Sequence, residues 1–164
     1  MSTLLFLTQF AVIAYALIAG VFLAFSDFIM RSLSLTGGVG GVEAMQVINR
    51  EVFRWVFMTL FLGMAGVSLV LVGLSVASLA EPASAFTGLA GMVYLLGCFG
   101  VTVVFNVPMN EALARMNLSD EATGAYWRRT YLPRWTFWNS VRTAACALSA
   151  VLLLFALMAM AQTA

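Results

Sequence analysis

Lysine and histidine are absent from this chain, and charge of either sign is scarce. All eight basic residues are arginine, seven residues are acidic, and charged side chains make up 9% of the 164 residues. Such a set cannot build a His-ligated metal site, a Ser–His–Asp triad or a lysine Schiff base. A formal net charge of +1 gives no general attraction for polyanions, so no nucleic-acid partner is expected. Cysteine is limited to Cys98 and Cys146, each inside a long apolar run. Packed, inert thiols are the expectation there, and nothing in the spacing argues for a disulfide.

What the chain does have is apolar surface. It is 63% hydrophobic, with a mean hydropathy of +1.00. Soluble domains are about 45–50% apolar and about 25% charged, so this composition belongs in a lipid bilayer. Four runs are long enough to cross it: 4–25, 55–80, 83–105, and a last one from 141 or 143 to 161. The first is longer than a signal-peptide core and has no basic residues ahead of it, so a retained helix is expected. Arg31, Arg50 and Arg54 lie between the first two spans. Arg115, Arg128, Arg129, Arg134 and Arg142 lie between the last two, or at that end of the fourth. By the positive-inside rule both long loops are cytoplasmic and both termini outside, in a membrane of the bacterial inner type.

Both long connections should be partly helical. VEAMQVINREVFRW has helical spacing after the flexible LTGGVGG turn, and Ser119-Asp120-Glu121 offers a helix start. Pro133 marks a second start before the last span. The expected fold is therefore all-α: one domain, 1–164, an integral membrane bundle of four transmembrane helices. Short amphipathic helical extensions should precede helices 2 and 4. Ala16, Gly20 and Ala24 recur at interval four, and Gly63/Gly66 and Gly97/Gly100 offer further smooth patches for packing the bundle. Gly88 and Gly91 look exposed, which leaves a homo-oligomer open.

Polar residues gather at one end of all four spans. Trp135, Trp138, Asn139 and Arg142 share a helical face that Cys146 and Ser149 continue inward. Gln46, Asn49, Arg50 and Phe53 repeat the pattern before span 2. Asn106 and Asn110 flank Pro108, which should kink or break its helix and free the Val104 carbonyl. Asp27 ends span 1, where it faces a pocket or pairs with Arg31 or Arg142. Interfacial anchoring needs aromatics and arginines, but not a set of asparagines at helix ends. The amides favour a pocket open to the cytoplasmic interface.

AGVFLAFSDFIM, GGVEAMQVINREV, FNVPMNEAL and WTFWNSVR, in this order, resemble a family of small four-helix membrane proteins that includes the fungal anthrone oxygenases. The ordered pair Asn106-x-Pro108-x-Asn110 and Trp135-x-x-Trp138-Asn139-x-x-Arg142 carries the likeness. Ser140 and Arg31 stand where relatives often have histidine and proline. The resemblance implies oxidation of anthrone-like phenolic substrates by molecular oxygen, without metal or flavin. For that chemistry Asp27 is the first candidate base, on the expectation that partial burial raises its pKa, and Glu111 the second. Arg142 with Asn106 or Asn139 would stabilise an enolate. Gln46, Asn49, Arg50, Asn110, Trp135, Trp138 and Asn139 would bind the substrate, with Trp135 and Trp138 stacking on its rings. The alternative is a non-enzymatic protein that binds a lipid, a quinone or another small hydrophobic molecule, or an accessory subunit.

Overall fold

The computed structural model describes residues 2–162 and is helical apart from short connecting turns. Four helices are long and apolar enough to cross a membrane: α1 (Thr3–Leu35), α3 (Trp55–Ala77), α4 (Ala83–Ala114) and α5 (Glu121–Gln162). A shorter helix, α2 (Gly40–Glu51), stands between the first two. A helix satisfies its own backbone donors and acceptors, which is why apolar runs of this length take that form in lipid. The turn ahead of α2 passes through Gly38 at φ +60°, a conformation that glycine adopts without strain.

The last helix packs along α1 and α4, α3 packs along α4, and α3 touches α1 more sparsely. The result is a ring in which each span neighbours the next and the last returns to the first. Tyr15, Ile18, Phe61, Met64, Leu71, Tyr94, Cys98, Cys146 and Leu153 fill its centre. Phe6, Phe10, Leu17, Leu69, Val76 and Leu96 point outward, as a lipid-facing surface requires. Several polar groups inside the bundle pair across helices. The Tyr15 hydroxyl meets Ser68 Oγ at 2.7 Å, Tyr94 donates to the Phe61 carbonyl at 2.8 Å, and Ser149 donates to the Ala90 carbonyl at 2.9 Å. Cys98 and Cys146 are buried and free.

The glycines divide differently from expectation. Gly88 and Gly91 are not exposed but buried in the seam between α3 and α4. A Cβ on Gly91 would lie 2.6 Å from the Ser68 carbonyl oxygen, and one on Gly97 would lie 2.7 Å from Ala145 Cβ. Ala16 and Gly20, by contrast, face outward, as do Gly63 and Gly66. A Cβ added at Gly20, Gly63 or Gly66 would meet nothing within 4 Å. Those small residues take no part in packing the bundle.

Neither internal proline breaks its helix. Four π-helical turns occur among the described residues, at Phe25–Ile29, Leu95–Gly100, Thr102–Asn106 and Trp127–Tyr131. Two of them end two residues before Pro108 and Pro133. The Val107 and Leu132 amides reach back five residues, to the Thr102 and Trp127 carbonyls. Widening the turn there lets the chain pass a residue that has no N–H and crowds the preceding turn. The expected break at Pro108 is therefore absent, and the extension expected before the last span is the first part of one continuous α5.

Candidate functional site

A cavity of about 620 Å³ lies at the end of the bundle where the two long connections meet the spans. It is bounded by α1, α3 and α4, backed by α5 and capped by α2. Phe22, Phe25, Phe57, Phe61, Phe99 and Trp135 give it aromatic walls. Its polar lining is sparse: Gln46, Asn49, Arg50, Thr102, Asn110, Glu111 and Arg142.

Arg142 is the unusual member. It is only 5% exposed, on a helix whose remaining twenty residues rise about 30 Å, the thickness of a hydrocarbon core. Its Nη2 donates to Asn139 Oδ1 at 2.6 Å, and its Nη1 donates to Thr102 Oγ1 at 3.2 Å. The guanidinium carbon sits 4.2 Å from the centre of the Phe22 ring and 5.3 Å from that of Trp135. Nε has no partner. No carboxylate answers the charge. The ion pairs among the described residues are Arg54–Glu51 and Arg115–Glu111, both exposed and both between residues three or four apart in sequence. Burying a cation costs several kcal/mol, and here dipoles and ring faces offset that cost without neutralising the charge.

Asn139 explains how the arginine is held. Its amide donates to the Phe22 carbonyl and to Ser26 Oγ, both at 2.6 Å, which ties α5 to α1 and aims its Oδ1 at the guanidinium. Asn106, also buried, donates to the Trp135 carbonyl at 3.3 Å and leaves its own Oδ1 unpartnered. A second network crosses the polar end. Asn49 donates to the Tyr131 hydroxyl at 3.2 Å, and Tyr131 and Trp135 Nε1 both donate to Asn110 Oδ1 at 2.8 Å. Gln46 donates to the Leu113 and Met116 carbonyls at 2.8 and 3.1 Å. Helix termini expose carbonyls in need of donors, so this amide clamps α2 to the end of α4.

The fold thus brings Gln46, Asn49, Arg50, Asn110, Trp135 and Arg142 onto the cavity wall and sets Asn106 and Asn139 directly behind it. Asp27 and Trp138 stand elsewhere. Asp27 is exposed rather than partly buried, is absent from the lining, and has no ion pair with Arg31 or Arg142. Trp138 is stacked on Phe105 at 3.7 Å between ring centres, outside the cavity. Ser140 lies on the exposed side, within 3.0 Å of Ser26 Oγ and 2.9 Å of the Thr136 carbonyl. Phe22, Thr102 and Tyr131 were missed by sequence reasoning. Thr102 precedes Asn106 by four residues and Tyr131 precedes Trp135 by four, a same-face signal that was available.

Chemically, the cavity can grip a flat apolar body, present one buried cation to an oxygen on that body, and offer one carboxylate, Glu111, at the rim. That carboxylate also lies 3.4 Å from Arg115. Among the described residues no three His, Cys, Asp or Glu side chains gather as a metal centre would need.

Neither a curated protein nor a solved structure matches the chain. The sequence model of the anthrone oxygenase family does, over residues 50–152, well over half the length. The matched stretch contains Asn106, Asn110, Trp135, Asn139 and Arg142, whereas Asp27, Gln46 and Asn49 precede it. On that match, this helical membrane protein belongs to the anthrone oxygenase family.

Proposed function

We propose that the protein is a membrane oxygenase of anthrone-like phenolic ketones, using molecular oxygen and its own side chains. The observation that carries this reading is Arg142, a buried cation without a carboxylate partner on the wall of an aromatic cavity. A group of that kind favours a ligand that is, or becomes, an oxyanion. Such an enolate forms when a base takes a proton from the acidic CH₂ of an anthrone. In this proposal the base is Glu111, the carboxylate on the cavity wall, rather than the outward-facing Asp27.

The enolate oxygen faces Arg142, and the carbanion carbon passes one electron to O₂. The radical pair combines into a C–O bond, and the proton held by Glu111 gives the hydroperoxide. Loss of the second C–H proton, with cleavage of the O–O bond, yields the carbonyl and water. One O₂ and one CH₂ group become one C=O and one H₂O. Trp135 and the phenylalanine walls keep the rings flat against the cation. The arginine-rich end, with its long loops, faces the cytoplasm in this arrangement.

The test is oxygen uptake by purified protein supplied with a dihydroxyanthrone, after subtracting the spontaneous oxidation rate. We expect one O₂ per quinone formed, and a fall of about 10²–10³ in kcat for Arg142→Ala. Unchanged turnover in that variant contradicts the reading. Tight binding of the anthrone without oxygen uptake would instead favour a quinone- or lipid-binding protein.

A further inference from the structure

The ends of the cavity are closed by different means. Towards water, Gln46 holds α2 against the Leu113 and Met116 carbonyls, and the Asn49–Tyr131–Asn110 chain joins α2, α5 and α4. Opening that end requires several buried and part-buried hydrogen bonds to break together. Towards lipid, the bond from Tyr94 to the Phe61 carbonyl is the last hydrogen bond between α3 and α4 among the described residues, and none joins them nearer the polar end. Packing of α3 on α4 extends into the Leu95–Gly100 turn and is sparse alongside Thr102–Asn106, which leaves a loosely filled gap. Leu62 and Val103 stand on the two sides of this gap. Both line the cavity and both are 51% exposed on the outside of the bundle. The wall here is one side chain thick and made of rotatable apolar groups.

The gap also lies at the level of the cation. Val103 follows Thr102, whose hydroxyl accepts from Arg142 Nη1. A molecule sliding in from the hydrocarbon edge would meet the unneutralised guanidinium next. Arg50 and Glu111, both exposed, mark the headgroup-side limit of the same slot.

We propose that the cavity is loaded sideways from the bilayer, through the slit between Leu62 of α3 and Val103 of α4. The entrant is a flat phenolic or quinonoid amphiphile that brings an oxygen to Arg142. This rests on the cavity being a ligand site, as in the reading above, and not on any reaction with oxygen. Leu62 and Val103 are gate residues: they set how fast the ligand crosses the wall in either direction.

The experiment uses protein reconstituted in phosphatidylcholine vesicles that already hold a hydroxyanthraquinone. Trp55, Trp127 and Trp138 are changed to Phe, and quenching of Trp135 reports binding. With Leu62→Phe/Val103→Phe, association and dissociation rates should both fall about tenfold while Kd moves less than threefold, as microscopic reversibility demands of a gate. With Leu62→Ala/Val103→Ala both rates should rise. The second pair keeps the test decisive if the bulkier pair fails to fold. Leu69→Phe, on the lipid face away from the cavity, should change neither rate. Unchanged association rates in both pairs, or a change confined to dissociation, would overturn the proposal. Gated binding without oxygen uptake would leave the gate standing and remove the oxygenase.

Discussion

Asn139 and Arg142 lie one helical turn apart on α5, and the 2.6 Å bond from Nη2 to Oδ1 joins them into a single device. The amide nitrogen of Asn139 is fixed to α1 through Phe22 and Ser26, so its oxygen cannot swing away from the guanidinium. Removing Asn139 therefore leaves a buried guanidinium N–H of Arg142 without its acceptor and takes the second donor from the Phe22 carbonyl. Asn139→Ala should lower stability by about 1–3 kcal/mol, read by thermal unfolding in detergent, because unsatisfied buried groups carry the full desolvation penalty. Ligand binding should weaken with it. A variant as stable as the parent would mean that the Arg142 cradle lies elsewhere.

The two carboxylates considered as the base separate on position. Glu111→Gln should cut anthrone turnover by about 10²–10⁴, the usual worth of a placed general base, with little change in KM. Asp27→Asn should leave turnover close to that of the parent, since Asp27 is exposed and does not line the cavity. The reverse pattern would return the base to α1.

Packing in the seam between α3 and α4 leads to a paired prediction. Gly91→Ala pushes a methyl group to within 2.6 Å of the Ser68 carbonyl oxygen and should cost about 1–3 kcal/mol. Gly63→Ala enters open space and should be neutral or slightly stabilising, by well under 1 kcal/mol. Equal unfolding temperatures for the two variants would contradict the described seam.

Detaching α2 should be visible without any ligand. Gln46→Ala leaves the Leu113 and Met116 carbonyls without their side-chain donor. Amide hydrogen exchange in Gly40–Glu51 should then accelerate roughly tenfold or more, while the middle of α5 keeps its protection. Uniform acceleration throughout the bundle would point to global destabilisation instead.

Much of this architecture can be read in the residues. The start of α3 at Trp55 follows from the charge that precedes it, and α4 begins just past the Glu81-Pro82 turn, at Ala83. The face carrying Trp135, Asn139 and Arg142 follows from a 3.6-residue period within an unbroken α-helix. Asp27 was misplaced together with its face: Ala16, Gly20, Leu23 and Asp27 share one side of α1, as their spacing requires, but that side turns outward. The Ala16/Gly20 stripe misled because small residues are as comfortable facing lipid tails as facing a helix, so spacing alone does not choose. Trp138 sits at the edge of its face, and Phe105, on the adjacent helix, takes it as a stacking partner.

The central claim is that Arg142 is the charge a ligand oxygen comes to meet. A structure of the protein with a hydroxyanthraquinone bound tests it most directly. We predict a flat ring system between Phe22, Phe57 and Trp135, with one oxygen about 2.7–3.1 Å from an Arg142 nitrogen. A ligand bound elsewhere, or one whose oxygens all turn away from Arg142, would contradict the claim.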